Sequence, residues 1–161
     1  MKKFIALAAA VLLTVTAFAQ DGKSIYRKYS DAPGVSAVYI SPAMFRMMGR
    51  IPSIALEGED VDLSAIIKAL EGFYLIDSEN PGINEDIMKE VNKFVKNGKY
   101  EIMMEVKDEG ETVHIYTVNK GEIITNLVFI AFDKEECTFI NLDGQMNQKD
   151  LDALIEKAMK D

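Results

Sequence analysis

Tryptophan is absent from the chain, and histidine and cysteine each occur once, as His114 and Cys137. A single imidazole excludes HExxH zinc sites, multi-histidine metal clusters and facial triads, which all need at least two. A single thiol excludes a disulfide within one chain, so a packed apolar core must hold the fold. Within "ECTFINL" that cysteine reads as a small buried hydrophobe. No G-x-S-x-G elbow, P-loop or G-x-G-x-x-G fingerprint occurs. His114 alternates with Thr112 and Tyr116, opposite Val113 and Ile115, which reads as a histidine on the solvent side of a strand. These absences leave no catalytic, metal-binding or cofactor-binding residue to assign, and no cofactor is expected.

Positive charge is also scarce: 18 Lys and Arg stand against 26 Asp and Glu, a formal charge of −8. A polyanion repels nucleic acid and anionic lipid at long range, so neither is expected as a partner. Long apolar runs are missing except at the N-terminus, "MKKFIALAAAVLLTVTAFAQ". Lys2 and Lys3, the short run Ile5 to Val15 and Ala17-Phe18-Ala19 match a secretory signal peptide cleaved after Ala19. The run is too short for a good transmembrane anchor, and no cysteine follows the cleavage point to accept a lipid. Cleavage removes two lysines, taking the formal charge from −8 to −10. An exported, periplasmic or envelope-associated protein is expected.

What is present divides the chain into the signal at 1–19, a polar segment at 20–34 and one α+β domain at 35–161. The polar segment is expected to be irregular apart from a helical turn between Ser24 and Tyr29. "VSAVYI" then reads as a strand opened by Pro33-Gly34. In "SPAMFRMMG", Ser41 suits an N-cap, Pro42 the first helical position and Gly49 a terminator, predicting a helix over 42–48. Leu63, Ile66, Ile67 and Leu70 predict a helix from about Val61 to Glu71 ended by Gly72, followed by the strand "FYLIDS". A third helix takes Asn84 as its cap, with Ile87, Val91, Phe94 and Val95 as its stripe.

From Tyr100 the period changes to two, and the polar turns "DEGE", "NKGE" and "DKEE" separate four strands. They predict an antiparallel meander with "ITNLVFIAF" most central. Asn147 caps a last helix with the stripe Leu151, Leu154, Ile155, Ala158 and Met159. "NLDGQMNQKDLD" does not fit an EF-hand: from Asn141, Gly144 falls fourth rather than sixth, and Asp152 replaces the twelfth glutamate. The expected architecture is an antiparallel sheet ending in this meander, with helices mainly on one face.

Two features invite a functional reading. Asp108-Glu109-Glu111 and Asp133-Glu135-Glu136 could pair carboxylates for hydrolysis, though both groups fall on hairpin turns. Met44, Met47 and Met48, with Phe45 among them, fit a core stripe, a pliable contact surface or a thioether copper site. No histidine or cysteine lies nearby in sequence to complete a soft metal site. Met44, Phe45, Met47 and Met48 are therefore the candidate apolar contact surface.

The segments "GVSAVYISPAMFRMM", "DLSAIIKALEGFYLIDSE", "YEIMMEVKDEGETVHIY" and "LDGQMNQKDLDALI" together resemble family 4252 of the domains of unknown function, small exported proteins of Bacteroidetes-type bacteria. The resemblance implies an envelope location and a link to extracytoplasmic-function sigma-factor operons, and it brings no catalytic residues. The expectation is a non-enzymatic binding module with an envelope protein partner. The alternatives are an envelope hydrolase using carboxylates, or a carrier of a small apolar ligand between sheet and helices.

Overall fold

The computed structural model describes residues 22–48, 64–97 and 99–152, without the side chains of 64–66. The expected signal peptide, the Gly49 terminator and the stripe Leu154, Ile155, Ala158, Met159 lie outside these residues. Among the described residues no helix is long and apolar enough to cross a membrane.

Helix α1 (Gly22–Tyr29) leads into strand β1 (Val35–Ile40) and helix α2 (Pro42–Met48). After α3 (Ser64–Ala69) come β2 (Leu70–Ser78) and the long helix α4 (Pro81–Lys96). Strands β3 (Glu101–Asp108), β4 (Glu111–Lys120), β5 (Ile123–Phe132) and β6 (Cys137–Asn147) complete one sheet of order β1-β2-β6-β5-β4-β3. Every neighbouring pair is antiparallel. The α+β class and the C-terminal meander are as the alternation requires, and β5 shares the centre with β6. In the β3–β4 turn, Glu109 (φ 39°) and Gly110 (φ 101°) both take positive φ, as a two-residue hairpin loop demands.

Helix starts follow their caps. Asn80 accepts from the N–H groups of Gly82 and Ile83 at 3.1 and 3.4 Å, with Pro81 in the first helical position. The cap is thus Asn80 and not Asn84, which lies fully buried in the first turn. Leu70 and Glu71, expected in the preceding helix, belong to β2, and Gly72 lies within that strand. Pairing with β6 from Leu70 onward overrides their helical period.

The sheet has one thickly covered face. Ile25 and Tyr29 of α1, and Ile87, Val91 and Phe94 of α4, pack on Ile76, Phe139, Ile130, Val128 and Tyr116. Each such side chain contributes about 1.5–3 kcal/mol by leaving water. The segment expected to be mostly irregular therefore supplies a helix to the core. Glu90 of α4 joins the two helices, pairing with Lys28 and accepting from the Tyr29 hydroxyl at 3.3 Å. Residues 148–152 are helical, capped by Asn147 accepting from the Lys149 N–H at 3.0 Å. Their Leu151 packs with Ile124, Leu127 and Met146 in a second apolar cluster.

His114 is 7 % exposed, which corrects its reading as a solvent-side residue. The alternation holds, but the covered face of β4 is the one carrying His114 and Tyr116, paired with Ile130 and Val128 of β5.

Candidate functional site

The methionine helix forms as its sequence requires. The Ser41 hydroxyl accepts from the Met44 N–H at 3.3 Å, and the Ser41 carbonyl accepts from the N–H groups of Met44 and Phe45. One short helix then divides its apolar residues between two directions. Phe45 is 4 % exposed and anchors α2, whereas Met44 and Met47 are 42 % and 56 % exposed. Met48 is intermediate. Met44 and Met47, three residues apart, share one side of the helix turned to solvent. The four-residue surface read from the sequence is thus two exposed thioethers, one half-buried one and a phenyl anchor.

Strand β1, immediately before α2, adds exposed Val38 and Tyr39. The Tyr39 ring stacks on Tyr74 of β2 with centroids 4.9 Å apart, and Tyr26 of α1 meets Tyr74 edge-on at 5.4 Å. Such ring pairs are worth roughly 0.5–1.5 kcal/mol beyond their burial. Burial pushes the Tyr74 phenol above its ordinary pKa. Tyr39 is therefore held in place while the residue stays 48 % exposed, an arrangement suited to contact. Sequence reasoning missed Val38 and Tyr39, because an alternating strand does not state whether it lies at a sheet edge.

The carboxylate clusters lie at one end of the sheet, where Thr112 pairs with Phe132, but on open turns: Asp108, Glu109, Glu111, Glu135 and Glu136 are all exposed. Asp108, Glu109 and Glu111 sit at the β3–β4 hairpin, while Asp133, Glu135 and Glu136 sit at the β5–β6 turn. Asp133 caps its own turn, its Oδ1 accepting from the N–H groups of Glu135 and Glu136 at 2.6 Å each.

A different polar triad does assemble on β3 and β4. His114 Nε2 donates to Glu105 Oε2 at 2.8 Å, and the Tyr116 hydroxyl lies 3.0 Å from Nδ1. Lys107 and then His114 hold the Glu105 carboxyl below its usual range, while burial raises the Tyr116 phenol. This order of groups resembles a base with its orienting carboxylate. Tyr116 is only 6 % exposed, however, so its hydroxyl is a satisfied core group and not an accessible nucleophile.

An open cleft of about 480 Å³ lies elsewhere, lined by Lys23, Glu71, Lys120, Thr125, Asp143 and Gln145 among others. Glu71, Thr125 and Gln145 fall where the ladders β2–β6, β4–β5 and β5–β6 shift register, so bulges shape this end of the sheet. Lys23 reaches Asp143 at 2.8 Å, and Asn126 donates to Asp143 at 2.7 Å and to Asn141 at 2.9 Å. The Tyr100 hydroxyl donates to Asn126 at 2.9 Å. This polar chain fastens α1 to the sheet. Gly144 is a strand residue in the same wall, since β6 runs on to Asn147. The cleft's polar walls do not suit an apolar ligand. Among the described residues, no group of three or more His, Cys, Asp or Glu is placed to hold a metal ion.

No significant match was found among curated proteins or among solved structures. A family model does match, over residues 29–154, from the end of α1 past Leu151. The chain belongs to the family described as Domain of unknown function (DUF4252).

Proposed function

We propose that the protein is a non-enzymatic interaction module of the cell envelope, exported by its N-terminal signal and linked to envelope sigma-factor signalling. The carrying observation is the exposure of Met44 and Met47 on a helix whose Phe45 is fixed in the interior. A thioether is unbranched and polarizable, so it adapts to an apolar partner surface at low cost. Exposed in this way, the two thioethers place large apolar groups in water, as interaction sites do. The exposure of the carboxylate clusters on solvent-facing turns and the burial of the Tyr116 hydroxyl favour binding over turnover.

The test is capture from envelope extract on the immobilised chain beginning at Gln20, beside its Met44→Lys/Met47→Lys variant. The expected result is a reproducible envelope protein held by the first and lost by the second, with unchanged far-UV circular dichroism. Equal capture by both, or a robust hydrolytic turnover with no partner, would overturn the reading.

A further inference from the structure

The sheet has two edges, and they are built differently. Strand β3 carries Glu101, Glu105, Lys107 and Asp108, and its ladder shifts register between Ile102 and Met104. Charges and bulges are the means by which an edge strand is kept from pairing with another chain. Strand β1, "VSAVYI", has no charge, no proline and an unbroken register with β2 from Val35↔Ser78 to Ile40↔Phe73. Among the described residues β2 is its one strand neighbour.

Hydrogen bonding fixes which backbone groups of β1 face outward. The Glu79 N–H donates to the Gly34 carbonyl at 3.0 Å, whereas the Val35 N–H turns back to the Ala32 carbonyl at 3.2 Å. In an antiparallel ladder the bonding groups alternate by residue, so Gly34, Ser36, Val38 and Ile40 bond β2. The N–H and C=O groups of Ala37 and Tyr39 then point away from the sheet, and each needs a partner or water.

We propose that the protein self-associates through β1, two copies pairing these strands antiparallel about a two-fold axis at Val38. In that register Ala37 lies opposite Tyr39 of the second copy. Each outward N–H and C=O of these residues then finds its complement, and the two small Ala37 side chains leave room for the Tyr39 rings. The exposed Val38 side chains meet across the axis on the other face, where non-hydrogen-bonded neighbours approach most closely. A second copy fits this edge because the contact is isologous and self-matching. The strand also carries no charge, so two strongly acidic chains meet there without a like-charge pair directly opposed. Self-association goes beyond capture of an envelope partner by Met44 and Met47, and either can fail without the other.

Sedimentation equilibrium of the chain beginning at Gln20 provides the test, with Val38→Lys and Val106→Lys compared to the wild type. Both positions are 46 % exposed on edge strands, so both variants keep the fold, which circular dichroism checks. Val38→Lys sets two ammonium groups face to face at the axis and should weaken the dimer at least tenfold. Val106→Lys makes the same charge change at the other edge and should leave it intact. A wild type that stays monomeric to millimolar concentration would overturn the proposal. So would a dimer that survives Val38→Lys, or one that Val106→Lys dissociates instead.

Discussion

Replacing Ile25 by alanine tests whether the polar N-terminal stretch is an integral part of the fold. Ile25 is fully buried on α1, and its neighbours in the core include Tyr29, Val91 and Phe139. Removing its outer three carbons forfeits about 2–3 kcal/mol of transfer free energy at ~0.8 kcal/mol per methylene. The cavity left between helix and sheet raises the loss to about 3–4 kcal/mol, inside the range of roughly 2–5 kcal/mol for such truncations. Little else offsets this. An isolated eight-residue helix is not stable in water. The ion pairs Lys28–Glu90 and Lys23–Asp143 each have a partner well open to solvent, and such pairs are worth about 1 kcal/mol or less.

With no tryptophan in the chain, far-UV circular dichroism during urea unfolding is the natural readout. For a slope near 2 kcal/mol/M, the midpoint should fall by roughly 1.5–2 M with the slope unchanged. Ile25→Val should lose about 0.5–1.5 kcal/mol in the same assay. A midpoint within about 0.3 M of wild type, a loss of no more than about 0.6 kcal/mol at that slope, would refute the reasoning. A second, earlier transition would also refute it, because α1 would then be an appendage that melts alone.

Three further outcomes follow from the interior. Asn84 is fully buried and among the described residues neither its Oδ1 nor its Nδ2 has a hydrogen-bond partner, so Asn84→Leu should raise the melting temperature. The gain is about 1–3 kcal/mol, the desolvation cost of an unpaired polar group, and a lower melting temperature would contradict it. Gly144→Ala would place Cβ 2.3 Å from the Ala69 carbonyl oxygen, so the backbone must shift. Differential scanning calorimetry should show a loss of about 1–3 kcal/mol, and an unchanged melting temperature would mean the strand yields freely. Burial, then Asp77 and Asp133, push the Cys137 thiol up to about 12 from an ordinary 9.0. The native state thus holds this proton more tightly than the unfolded chain, and the resulting stability is whole below pH 9 and lost as pH rises toward 12. Thiol-reagent labelling at pH 8 should require unfolding first, and rapid labelling of the folded protein would sink the prediction.

The fold was legible wherever local rules and tertiary contacts agree. The meander follows from alternation and turn chemistry at Asp108-Glu109-Gly110-Glu111, and α2 from Ser41-Pro42. Misreadings arise where partners distant in sequence decide. Leu70 matches a helical stripe, but β6 offers it a ladder position opposite Gly144. The cap is the exception, decided by a local signal: Asn84 and Asn80 are both competent by composition, and Pro81 at the first helical position selects Asn80. α1 has a polar composition because only its Ile25 and Tyr29 side must be apolar, so few residues announce its burial. For His114 the period was legible but its sign was not. Alternation separates two faces, and only the docking of α1 and α4 decides which one is inside.

The candidate surface was half legible for a related reason. Spacing places Met44, Met47 and Met48 on one turn of helix, yet a three-by-four spacing describes an apolar stripe whether or not anything covers it. What exposes Met44 and Met47 is the short length of α2: seven residues make two turns, and Phe45 alone secures them to the interior. Val38 and Tyr39 were illegible because exposure at a sheet edge depends on strand order, which is set by the crossover that brings β2 between β1 and β6. One distinction between the two edges is nevertheless written in composition. Four charges in the eight residues of β3 and none in the six of β1 are what a sheet shows when one border must stay solitary and the other is free to pair. Chain order hides where these strands lie, but once the topology places both at borders, their side chains tell the borders apart.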